Sequence, residues 1–315
     1  MRPSLLHAIA LSLPLLGLGC IKSMLTNGQI SATREAAGTF NTIGDYELAR
    51  SAAAAGLVQF EGMHNLAPDN DDALFLLTQS WVGYGYAFPQ DESEVATDKG
   101  DDDLADYHKK RALLAYDRAI AYGTELLSHK AKGFEAAKKN DMTFKAWLNE
   151  NFSDKEDVPN LFWLGYAWLA KADLSKEIPV IVAEVYVGVD LVEKAISMRP
   201  EFEHFSGFVV LAAYHSRPMG EQDEGRKLFE FALQKSQGKN LLTQVTYAST
   251  LACNTGDRAL YEKLLNEVLS SDDPDPQQRL INTLAKRKAK RYLANRQRMV
   301  DCGFDMGPAK GPEKK

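Results

Sequence analysis

The sequence predicts an all-α protein of stacked antiparallel helical hairpins, a tetratricopeptide-like α-solenoid closed around a concave face or cavity. Three observations carry this. Apolar residues recur at helical spacing along most of the chain, and no long alternating β-branched run occurs. Residues 158–200 have the form of one enlarged hairpin repeat, because Leu161, Leu164, Gly165 and Trp168 keep the i, i+3, i+4, i+7 spacing of a first helix, and Ala195 with Pro200 closes the second. At 315 residues, with 45% apolar and 25% charged content, the chain can bury a normal core without metals or disulfides.

The N-terminus reads as a targeting signal over residues 1–19. Arg2 supplies a minimal positive region, and Leu5–Leu18 is apolar but too short to span a bilayer and broken by Pro14. It ends in LLGLGC, which resembles a bacterial lipoprotein signal, with Cys20 as the expected acylated residue. Several acyl chains such as palmitate on that residue would anchor firmly, since each buried CH₂ contributes roughly 0.8 kcal/mol. The outer membrane is slightly favoured over the inner, because Ile21 rather than Asp follows the cysteine. With Cys20 acylated, Cys253 and Cys302 remain, and the sequence leaves their pairing open.

Residues 20–31 read as a tether, and residues 32–302 as a single helical domain. Gly44, Asp45, Tyr46 and Ala49 match the turn and second-helix start of a repeat unit, with a helix running to about Leu66 before Pro68. The small residues Ala52–Gly56 imply tight packing. A second helix, capped within Asp69–Asp72, carries Trp81, Tyr84, Tyr86 and Phe88 with Gly83 and Gly85, and should loosen into an aromatic-lined turn before Pro89. Between Asp91 and Asp106 stand eight acids and one lysine, which by composition reads as an exposed acidic loop. It lacks the calcium-loop pattern, so no metal site is expected.

Helices follow over Ala105–Ser128 and Phe134–Asn149, and Ser153 with Glu156 reads as a capping box into the central unit. There Asp157 and Pro159 supply a cap and a first-turn proline, and Gly165 allows a neighbouring helix to approach closely. That unit is eleven residues longer than the usual roughly 34, and the excess around Leu174–Ile181 falls between its two helices. Phe162, Trp163, Tyr166 and Trp168 are too many aromatics for one narrow stripe. Either they are core, or they form a wall of a cavity together with Trp81, Tyr84, Tyr86 and Phe88.

After Pro200 come helices at Phe205–Tyr214 and Glu224–Leu233, then Leu241–Ala252 and Ala259–Leu269. The terminal helix, Gln277–Val300, carries eight Lys or Arg between Arg279 and Arg298 and no acid. Such a face is the polar outer cap of a solenoid, or it meets an anionic membrane or an acidic partner. Residues 303–315 read as a disordered tail.

No catalytic pattern is present. The histidines form no HExxH, there is no GxSxG or P-loop, and no cofactor fingerprint appears, so no enzyme is expected. A net charge of −6 argues against a general nucleic-acid binder.

Several stretches together carry a family resemblance: LFWLGYAWLAKADLSKEIP with the EKAISMRPEF end of the following helix, then GRKLFEFALQKSQGKNLLTQVTYA, and DPQQRLINTLAKRKAKRYL. Their order and spacing make the chain similar to the T component associated with TRAP (tripartite ATP-independent periplasmic) transporters, a family of helical, tetratricopeptide-containing lipoproteins. The segment EFEHFSGFVVLAAYH departs from it, since FVVL rather than an early histidine follows Gly207. The resemblance implies a periplasm-facing, lipid-anchored homo-oligomer. Such a protein partners the solute-binding P component and holds or passes a small hydrophobic or organic-acid ligand. The rival reading is a generic tetratricopeptide adaptor for envelope protein–protein interaction, binding a peptide along a polar groove.

Overall fold

The computed structural model describes residues 13–307, with side chains from residue 23. Residues 1–12 of the signal segment, the Cys20 side chain and residues 308–315 lie outside that description. Helices occupy most of the described chain, which contains no strand. None of them is long and apolar enough to cross a membrane.

The first helices are α1 (Leu13–Ala36), α2 (Tyr46–Leu66) and α3 (Asp71–Gly85). Residues 20–31, expected as a tether, lie within α1, and Ile30 is fully buried against Met63, Ala73 and Leu76. Asp45 caps α2 and Asn70 caps α3, each accepting from backbone N–H groups of the first turn. The small residues of α2 do not pack tightly, since Ala54 and Ala55 face solvent. After α3 the backbone widens into a π-turn over Tyr86–Gln90 that contains Pro89. Helical structure resumes at once in α4 (Asp91–Asp98), followed by α5 (Asp102–Lys130). The acidic loop is thus a helix and the start of another. Asp91, Glu94 and Asp98 stand at i, i+3 and i+7, so they share one face, which a reading by composition alone overlooks.

The segment expected as one helix over 134–149 is two, α6 (Phe134–Ala137) and α7 (Asp141–Asn151), because Asn140 caps the second through the Thr143 N–H. The central unit comprises α8 (Val158–Leu174), the short α9 (Pro179–Ala183) and α10 (Val185–Met198), so the extra residues do lie between the paired helices. Gly165 and Gly188 face each other at that crossing, and a Cβ on either would lie 3.0 Å from the other's carbonyl oxygen. Two cap assignments change. Asp154, not Ser153, caps the turn before α8, and the Asp157 carboxylate is engaged by Lys130 Nζ at 2.6 Å rather than by helix N–H groups.

Beyond it run α11 (Ser206–His215), α12 (Gln222–Ser236), α13 (Leu241–Tyr247), a second π-turn over Ala248–Ala252, and α14 (Arg258–Ser270). The basic terminal helix is broken at Asn295 into α15 (Arg279–Ala294) and α16 (Arg296–Asp301). A disulfide joins Cys253 to Cys302. Phe304, within the segment read as tail, is buried against Tyr261. The largest core cluster spans α11 to α16, and a second joins α5, α6, α7, α8 and α10. Leu280 and Leu284 of α15 pack with Tyr46 and Ala49 of α2 and with Phe88, so the last long helix returns to the first hairpin and the array closes on itself.

Candidate ligand-binding site

Closure of the array leaves a partly open cavity of about 340 Å³. Its walls come from far-separated stretches: Tyr86, Gln90 and Glu94; Tyr166, Leu169 and Ala170 of α8; Val209, Val210 and Ala213 of α11; Thr243, Thr246, Ser249 and Thr250; and Lys288 and Tyr292 of α15. Both π-turns contribute, Tyr86 and Gln90 from the first and Ser249 and Thr250 from the second. A π-turn shifts the helical register by about one residue, which redirects side chains that a regular helix would bury elsewhere. The exposed lining residues Lys176, Val182 and Arg217 mark the mouth, and the buried Gln90, Lys288 and Tyr292 mark the inner end.

The inner end rests on an ion network between the two segments with the strongest charge bias. Lys288, buried to 2% side-chain exposure, donates to both Glu94 oxygens at 2.8 Å and lies 3.5 Å from Asp91. Arg291 reaches Asp91 at 2.8 Å, Glu94 at 2.9 Å and Asp98 at 2.9 Å, while Arg287 pairs with Asp91 and Arg298 with Asp98. Tyr292 donates its phenol to Glu94 at 2.6 Å. Burial alone would raise the Glu94 carboxyl, but Lys288 and Arg298 outweigh it and hold its pKa lowered to about 2. Burial likewise pulls Lys288 down, yet Glu94, Tyr86 and Asp91 carry it above its ordinary value. Of the eight basic residues of the terminal helices, Arg287, Lys288, Arg291 and Arg298 therefore enter an internal network, with Lys288 alone fully buried. Their partner is the acidic helix of the same chain, not solvent alone.

Of the eight aromatic candidates, the cavity is lined by Tyr86 and Tyr166, whose rings meet edge-on with centroids 5.9 Å apart. The others sit elsewhere. Phe88 packs on Tyr46, Phe162 is buried against Phe202, and Trp168 is buried with Lys138 over its ring. Trp81 donates its indole N–H to Glu61, Tyr84 accepts from Arg111, and Trp163 tilts against Tyr166 from outside the cavity lining. The sequence reading missed Lys288, Glu94 and Gln90. A signal existed: Lys288 falls in register with Leu280, Leu284 and Tyr292 on the apolar stripe of α15, a position where a lysine must be buried and paired.

A model of the TRAP transporter T-component family matches residues 43–300, from the approach to the first hairpin through the terminal helices. The chain belongs to that family. Membership associates it with TRAP transporters and with a periplasm-facing place. It is also similar to an uncharacterized protein of Treponema pallidum (strain Nichols), 21% identical over 261 residues that cover 78% of this chain and 77% of that protein. The matched span contains every wall of the cavity and both sides of the ion network, so in this T component the closed array lies wholly within the family's own region.

Proposed function

We propose that this T component partners the periplasmic solute-binding P component of a TRAP transporter and holds or passes a small hydrophobic or organic-acid ligand through its cavity. The cavity volume of about 340 Å³ carries this reading, because it falls in the range of ligand sites and its lining combines apolar residues with a limited set of polar groups. In this reading the protein acts by binding. A peptide-binding adaptor would present an open concave groove, whereas here α15 packs back onto α2. The chain is held at the membrane, the outer one by preference, through acylated Cys20, and it works as a homo-oligomer.

The test combines analytical ultracentrifugation of the protein, alone and with its cognate solute-binding protein, with titration of an environment-sensitive apolar dye. Self-association, a mixed complex and saturable dye binding are expected. A monomer throughout that binds neither partner nor dye would overturn the reading. For the anchor, labelling with a clickable palmitate analogue should mark the wild type and not Cys20→Ser.

A further inference from the structure

The inner end of the cavity differs in chemistry from its walls. The hydroxyls of Tyr86 and Tyr166 have no hydrogen-bond partner among the described residues, although both side chains line the cavity. Gln90 uses its carbonyl oxygen to accept from the Tyr116 phenol at 2.6 Å, which leaves its amide N–H₂ group free. Across the cavity the hydroxyl protons of Thr246, Ser249 and Thr250 are already donated to carbonyls of their own helix, those of Leu242 and Thr246. Free phenol and amide donors therefore gather at the inner end, and Thr243, whose buried hydroxyl has no partner, adds one across the cavity.

The charge there has the matching sign. Asp91, Glu94 and Asp98 supply three negative charges to the network, and Arg287, Lys288, Arg291 and Arg298 supply four positive ones. Glu94 accepts from Lys288 on both oxygens and from Arg291 and Tyr292 on Oε2, so most of its acceptor capacity is already used. Lys288 Nζ lies 5.6 Å from the Tyr86 ring centre, so one cation of the network stands beside the free phenols, while the lining carboxylate of Asp173 is paired with Lys176. Those phenols stay protonated at any ordinary pH, since burial raises both. An anion entering this end meets free donors beside a buried ammonium in a low-dielectric setting, whereas a cation would have to stand against that ammonium. Leu169, Val209 and Val210 offer apolar contact along a wall that also carries Ser206, Asn240 and Thr243.

We infer that the cavity takes a single-chain amphiphile with a carboxylate head, seated at Tyr86, Tyr166 and Gln90 beside Lys288, with its tail along Leu169, Val209 and Val210. This rests on reading the cavity as a ligand site and adds the head-group chemistry and the direction of insertion.

The experiment is displacement of the bound apolar dye from the full chain by decanoate, decanol and decylamine, repeated with the double variant Tyr86→Phe, Tyr166→Phe. Decanoate is expected to bind at least about tenfold more tightly than decylamine, and the double variant to lose about tenfold or more of that affinity, the range for hydrogen bonds to a charged group. The melting temperature should hold, which separates loss of the head-group site from unfolding. Equal affinity for the three heads in the wild type, or unchanged decanoate binding in a folded double variant, would overturn the head-group site while leaving the cavity reading standing. If the dye itself fails to bind the wild type, both readings fall.

Discussion

Lys288 Nζ donates to both carboxylate oxygens of Glu94 at 2.8 Å, although the two residues stand 194 positions apart in the chain. This contact ties the last long helix to the helix after the first π-turn and forms the floor of the cavity. Removing one partner of a buried pair leaves the other charge uncompensated, at about 3–5 kcal/mol. Lys288→Met should therefore lower stability by that amount in denaturant titration. Adding Glu94→Gln to it should restore a substantial part, because the two changes share one network. The pH dependence has a definite sign. The folded-state pKa of Glu94 is depressed from 4.5 to about 2, so its contribution is present above pH 4.5 and is lost as pH falls toward 2. Unfolding midpoints of wild type and Glu94→Gln should converge over that window.

Asp190 has the opposite sign. Its carboxylate is buried, both oxygens lack a hydrogen-bond partner, and Lys145 approaches only to 3.3 Å. Burial raises its pKa from 3.8 to about 7 against the pull of Lys145. The folded state keeps the proton more tightly than the unfolded one, so stability is fullest below pH 3.8 and falls as pH rises toward 7. Asp190→Asn should stabilise the protein at pH 8, with a ceiling of about 4 kcal/mol at about 1.4 kcal/mol per pH unit. At pH 4 it should make little difference. Thermal melts of both proteins across that range check it.

The crossing of α8 and α10 depends on the absence of a side chain. A Cβ at Gly165 would lie 2.8 Å from Val192 Cγ2, 2.9 Å from Leu191 Cβ and 3.0 Å from the Gly188 oxygen. Gly165→Ala should cost about 1–3 kcal/mol through overpacking, despite the better helix propensity of alanine. Gly56 in α2 is the internal control, since its nearest neighbour would be Phe60 at 3.9 Å. Gly56→Ala should be neutral or stabilising by up to about 1 kcal/mol, in the same denaturation assay.

The Cys253–Cys302 bridge ties the second π-turn to the end of α16, across 49 residues of chain. Closing a loop of that size stabilises by about 2–4 kcal/mol, chiefly by restricting the unfolded chain. The melting temperature of the wild type should fall on reduction, and that of Cys253→Ser, Cys302→Ser should not respond to reductant. Equal melting of oxidised and reduced wild type would show the bridge to be dispensable.

What the sequence alone determined about this protein is what neighbours in the chain settle among themselves. The 3.6-residue period of Leu161, Leu164 and Trp168 marks a helix with one buried face, and Gly165 announces a close crossing, because those contacts lie within one or two turns. Asn70 and Asp45 mark helix starts for the same reason. The tertiary structure alone decided that Tyr86 and Tyr166 meet while Phe162 and Trp168 are packed away, since face selection depends on which helix stacks alongside. It also decided the fate of the charged segments. By composition, Asp91–Asp106 and the terminal helix each look solvated, and only the return of α15 onto the first hairpin brings Asp91, Glu94 and Asp98 opposite Lys288, Arg291 and Arg298. A charge's environment is set by what lies within a few ångströms of it, and here those neighbours come from the other end of the chain.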